Sequence, residues 1–105
     1  MKEKSILHLT LSNKPFEVMV TGEKFLEFRK PSDWIKSRLV GKGYDLVKFV
    51  NGYGADKPYF IAEYLCYTEA EKDLSTVYSN GLRVESERGD FVIILGHVIE
   101  KGNLK

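Results

Sequence analysis

The stretch Gly22-Glu23-Lys24-Phe25-Leu26-Glu27-Phe28-Arg29 decides how this chain folds. It sets four charges within eight residues, between one apolar segment and the next. A glycine takes a positive φ at little cost, so Gly22 can end a helix and release the chain into a strand. Phe25, Leu26 and Phe28 favour an extended backbone. Side chains alternate along a strand, so Glu27 and Arg29 fall on one face, where a carboxylate and a guanidinium can hold each other. The same planar fork can meet an anion or a nucleobase. Lys24 has the opposite parity and reaches that face only if it still lies in the turn. Exposed pairs of this kind contribute little, so a solvated strand with a surface ion pair is the plain alternative.

Outward from this stretch the pattern is α+β. Ile6 to Leu11 alternates, with Leu7, Leu9 and Leu11 on one face and His8 and Thr10 on the other. Asn13 is the expected N-cap of a short helix, with Pro15 in its first turn and Phe16, Met19 and Val20 on one side. Pro31 ends the central strand, and Ser32 or Asp33 caps a second helix over Trp34 to Leu39. Asp45 to Asn51 reads as a strand. The glycine-rich turn Asn51-Gly52-Tyr53-Gly54 then lifts Tyr53 outward. Tyr59 to Tyr67 is a long aromatic strand with Glu63 at its middle. Residues 69–76 are polar and read as loop or helix. Asn80-Gly81 between two β-prone runs signals a hairpin, followed by a charged loop to Asp90. Phe91 to Ile99 is apolar on both faces, and Gly96 within it signals a bend or bulge. The tail from Glu100 reads as frayed. The sum is a single domain, a small β-barrel of five to six strands with two short helices packed on one side.

Bulk properties bound the function. The chain has 105 residues, enough for one modest core, and a formal net charge of +1, so it is not a generic polyanion binder. Residues 1–51 carry ten Lys and Arg against six acids, and the remainder carries six against nine. A basic side turned toward RNA or a nucleotide is compatible with that split. No apolar run approaches a membrane span, and the opening Met1-Lys2-Glu3-Lys4-Ser5 lacks a signal-peptide layout. The single Cys66 has no disulfide partner within the chain and sits in an apolar run, which reads as a small buried hydrophobe. A reducing, cytoplasmic setting is expected, with no cofactor and no metal.

Read this way, the whole chain resembles the ASCH domains of the PUA-like β-barrel superfamily. The resemblance rests on G-x-K-x-x-E-x-R at Gly22, Lys24, Glu27 and Arg29, on Phe49-Val50-Asn51-Gly52-Tyr53-Gly54, and on Phe91-Val92-Ile93-Ile94-Leu95-Gly96. It implies binding of RNA, or of a nucleoside or nucleotide, in a cleft between the barrel and the helices. One branch of the family resembles amidohydrolases of acetylated cytidine, which use a lysine, a threonine three residues on, and a later glutamate. The lysine carries over to Lys24 and the glutamate to Glu63, but Glu27 stands in the threonine position.

Lys24, Glu27, Arg29, Asn51 and Tyr53 are the expected ligand-binding residues, with Lys24 and Glu63 the catalytic pair in the hydrolase reading. Lys24 and Arg29 would engage phosphate or carbonyl groups, Glu27 would orient Arg29 or accept from a base, and Tyr53 would stack on it. Each has a structural alternative. Glu63 can be a paired buried acid, Asn51 a turn former, Tyr53 a surface tyrosine, His8 and Thr10 a solvated face. Trp34 is expected as the core anchor of the second helix. A protein-interaction accessory module is a third option.

Overall fold

Alternation in the first strand carries through to the sheet. The computed structural model describes residues 4–104. Met1 to Glu3, the polar lead-in to the first strand, and Lys105 lie outside the described residues. The elements run β1 (Ile6–Leu11), α1 (Asn13–Val20), β2 (Leu26–Arg29), α2 (Asp33–Leu39), β3 (Leu46–Asn51), β4 (Tyr59–Glu69), β5 (Leu74–Val77), β6 (Arg83–Ser86) and β7 (Phe91–Gly102). Five strands form one curled, half-barrel sheet in the order β1-β3-β4-β7-β2, and β5 pairs with β6 in a separate hairpin. β1 runs parallel to β3, and every other pairing is antiparallel. The described fold is α+β with two helices and seven strands.

Register aligns the core. Leu7 lies beside Val47 and Leu9 beside Phe49, while Val47 and Phe49 face Ala62 and Phe60 across β4. All six are buried, and Phe60 stacks on Phe49 at 5.2 Å between ring centroids. Each fully buried aromatic or aliphatic side chain here contributes about 1.5–3 kcal/mol. Phe16 and Met19 from α1 and Ile35 and Leu39 from α2 join the same cluster.

Several expectations are corrected. The N-cap of α1 is Ser12, not Asn13, which is already the first helical residue. Trp34 does not anchor α2, being 50% exposed. Ile35 and Leu39, one helical turn apart, hold that helix to the core instead, and Trp34 projects about 100–140° round the helix from them. Cys66 is exposed. Register shifts between β4 and β7 around Tyr64 and Cys66 break the alternation there and turn Leu65 and Cys66 outward. The polar segment 69–76 ends in strand β5, and the tail continues β7 to Gly102 because Tyr59 to Ile61 of β4 pair with it. Among the described residues no helix is long and apolar enough to cross a membrane.

Candidate functional site

A charged chain forms where the first helix hands over to the second strand. Gly22, at φ 87°, donates its N–H to Met19 O, and Lys24 N–H then donates to Val18 O at 2.8 Å. This turn folds Lys24 back beneath α1, where it is 2% exposed. Its ammonium donates to Leu26 O, to Glu27 Oε1 at 3.0 Å and to Met19 Sδ at 3.6 Å. Lys24 therefore reaches the face of Glu27 from the turn. An ammonium has three N–H donors, and all three are engaged.

Glu27 is 7% exposed and uses its other oxygen for Arg29, whose Nε donates to Oε2 at 3.0 Å. Both side chains stand on the inner face of β2, opposite Ile93 and Phe91 of β7. β2 and β1 are the two outer strands of the sheet, and they do not pair with each other. Arg29 spans the opening between them: its Nη2 donates to Thr10 O at 2.8 Å. An edge-strand carbonyl without a ladder partner is thereby satisfied by a charged donor.

Beyond Arg29 lies a cleft of about 410 Å³, lined by His8, Leu9, Thr10, Arg29, Trp34, Val50 and Tyr53. His8 pairs with Lys48 and Thr10 with Val50 across β1 and β3, so these four share the outer face of the sheet. Tyr53, on its glycine turn, is 83% exposed at the rim. Trp34 stands across from the strands, with the Arg38 guanidinium 5.0 Å from its ring centroid. Such stacking restrains the indole.

Of the residues expected to bind ligand, Arg29 and Tyr53 meet at this cleft. Lys24 and Glu27 stand behind Arg29 and border a smaller cleft of about 300 Å³ beneath the hairpin. Asn51 is elsewhere, with Nδ2 donating to Asn13 Oδ1 at 3.2 Å, a contact that ties β3 to α1. Glu63 lines neither cleft. It sits at the β4–β7 bulge, where Oε1 accepts from His97 N–H at 2.8 Å. Gly96 leaves it that space, since a Cβ at Gly96 would come within 2.6 Å of Oε1. The expected bulge at Gly96 is present, and Glu63 satisfies the backbone it frees. His8, Thr10 and Trp34 complete the cleft. The i, i+4 spacing of Ile35 and Leu39 was the signal that leaves Trp34 outside the core.

The hairpin tip closes over the other side of the charged chain. Glu23 accepts from Ser79 Oγ and from Ser79 N–H, and these bonds, the side-chain one foremost, hold its carboxyl below the ordinary value. Asn80 Nδ2 donates to Lys14 O at 3.0 Å. Burial, with the carboxylates of Glu23 and Glu27 nearby, pushes the Tyr78 phenol up. Among the described residues no cluster of His, Cys, Asp and Glu is placed to hold a metal ion.

The fold and cleft define a small half-barrel protein whose open seam is bridged by an arginine facing an aromatic-flanked cleft. The chain has no significant match to any protein-family model, curated protein or solved structure.

Proposed function

We propose that the protein binds a nucleobase, as a nucleotide or as a splayed base of single-stranded RNA, in the cleft between β1, β3 and α2. One observation carries this reading: Arg29 is held on two sides at a cleft flanked by the aromatic rings of Trp34 and Tyr53. Recognition of unstacked bases uses this combination of a planar donor and aromatic faces. A cleft of about 410 Å³ falls within the usual range for small-ligand sites. Val50 and the Trp34 ring give it apolar walls suited to a flat ring. The reading agrees with what the resemblance to ASCH domains implies, and assignment to the PUA-like class is part of the proposal. Lys24 and Glu63 engage separate hydrogen-bond networks, so no geometry favours the amidohydrolase alternative.

The test is titration of the full chain with short single-stranded RNAs and nucleotides, followed by backbone amide shifts and by fluorescence of Trp34, the only tryptophan. Shifts are expected at residues 8–10, 29, 34 and 50–53. Tyr53→Ala should weaken binding about tenfold, the effect of losing one stacked base. Unmoved amides around the cleft at saturating RNA would sink the proposal.

A further inference from the structure

Arginine carries five N–H donors and no acceptor. Arg29 spends two of them, Nε–H on Glu27 Oε2 and one Nη2–H on Thr10 O. Among the described residues its Nη1 has no hydrogen-bond partner, and it is not a buried atom, since the only buried, unpartnered side-chain polar atom is the Tyr64 hydroxyl. The cleft is the concavity that Arg29 lines. Three N–H groups therefore remain on a guanidinium whose orientation is set from two sides.

The neighbours of that guanidinium narrow the ligand. Val50 and the Trp34 ring make the walls apolar, which disfavours a fully hydrated phosphate and favours a ring inserted edge-on to Arg29. Glu27, the acid nearest to Arg29, has both oxygens engaged, one by Lys24 and one by Arg29. Among the described residues, Arg29 thus presents donors with no hydrogen-bonded carboxylate left free to accept.

We infer that this cleft selects bases whose edge presents two adjacent acceptors, as guanine does with O6 and N7 and cytosine does with O2 and N3. The selectivity rests on the base-binding reading above and adds a preference to it. Adenine places its N6 amino group beside N7, so a donor would meet a donor. Uracil separates its two carbonyl acceptors by N3–H. A bidentate arginine contact to a base edge discriminates against the wrong base by about tenfold or more. Arg29 is then the specificity-determining residue. Lys24 and Glu27 are positioning residues that fix its plane.

The experiment compares GMP, CMP, AMP and UMP, all bearing the same phosphate, titrated into the full chain with Trp34 fluorescence and calorimetry as readouts. GMP or CMP, or both, should bind about tenfold or more tighter than AMP and UMP. For a guanine preference, 7-deaza-GMP, which lacks the N7 acceptor, should fall to the affinity of AMP. For a cytosine preference, 3-deazacytidine monophosphate should do so. Arg29→Lys, checked for folding by circular dichroism, should compress the four affinities to within about twofold of one another, because an ammonium is a point donor without a fixed plane. Equal binding of all four by the unmodified chain overturns this selectivity while leaving base binding in place. No binding of any overturns base binding itself, and the preference with it.

Discussion

Replacing Lys24 by methionine tests whether the charged chain is a structural unit. Methionine keeps the length and apolar stem of lysine, so little cavity is created, and the change isolates the ammonium. In the folded protein the Lys24 side chain is 2% exposed, and its ammonium bonds to Glu27, Leu26 O and Met19 Sδ. Its removal leaves Glu27 buried with one cationic partner, Arg29, and leaves the Leu26 carbonyl without its donor. Breaking a buried pair costs 3–5 kcal/mol where the remaining charge has no other partner, and Arg29 offsets part of that, so a loss of about 2–4 kcal/mol is expected. For a chain of this length that is roughly 4–5 °C of melting temperature per kcal/mol, read by urea and thermal unfolding. The decisive comparison is a double-mutant cycle with Glu27→Gln. Once Glu27 is neutral, loss of Lys24 should cost at least about 1 kcal/mol less than in the parent. A Lys24→Met protein within about 0.5 kcal/mol of the parent, or an equal cost in both backgrounds, would refute the claim that these two charges support each other.

Three further outcomes follow from the geometry. Gly102→Ala should destabilise the protein by about 1–3 kcal/mol, because the new Cβ would fall within the ring of Tyr59 on the paired strand; unchanged urea unfolding would contradict that packing. Burial pushes the Tyr64 phenol from 10.0 up to about 12, and among the described residues its hydroxyl has no hydrogen-bond partner. The folded state thus holds this proton more tightly than the unfolded chain, so the contribution is complete below pH 10 and is lost as pH rises toward about 12. With solvent screening the loss is about 1 kcal/mol, and Tyr64→Phe should abolish it; tyrosinate absorbance should show one of the six tyrosines ionising last. The Glu23 carboxyl is held below its ordinary 4.5 by Ser79, so its latch on the hairpin is complete above pH 4.5 and is released as pH falls through the lowered value. Hydrogen exchange at Ser79 N–H should accelerate in Glu23→Gln at neutral pH, and an unchanged rate would show that the tip is held by other contacts.

Local rules made much of the chain legible. The alternation Leu7, Leu9, Leu11 marks a strand with one buried face because a side-chain period of two admits no other amphipathic arrangement. Gly22 marks the turn because few other residues adopt its positive φ cheaply, and the parity of Glu27 and Arg29 follows from the strand itself. Tyr53 stands outward because glycines flank it. Where reasoning by local pattern failed, a distant partner had overridden it. Cys66 turned outward at an irregularity in its pairing with β7, the tail beyond Glu100 was ordered by β4, and Glu63 was claimed by the backbone of His97.

The sequence alone determined which segments extend, where the first helix stops, and that a lysine, a glutamate and an arginine stand within one side chain's reach of each other. Only the tertiary structure decided that β1 and β2 become the two rims of one curled sheet, with Arg29 crossing between them toward Trp34 and Tyr53. The physical reason lies in range. φ preferences and side-chain alternation act over a few residues, whereas the partner of Arg29 is a carbonyl nineteen positions away, brought near by a parallel β1–β3 pairing and by β7 carrying β2 to the opposite edge.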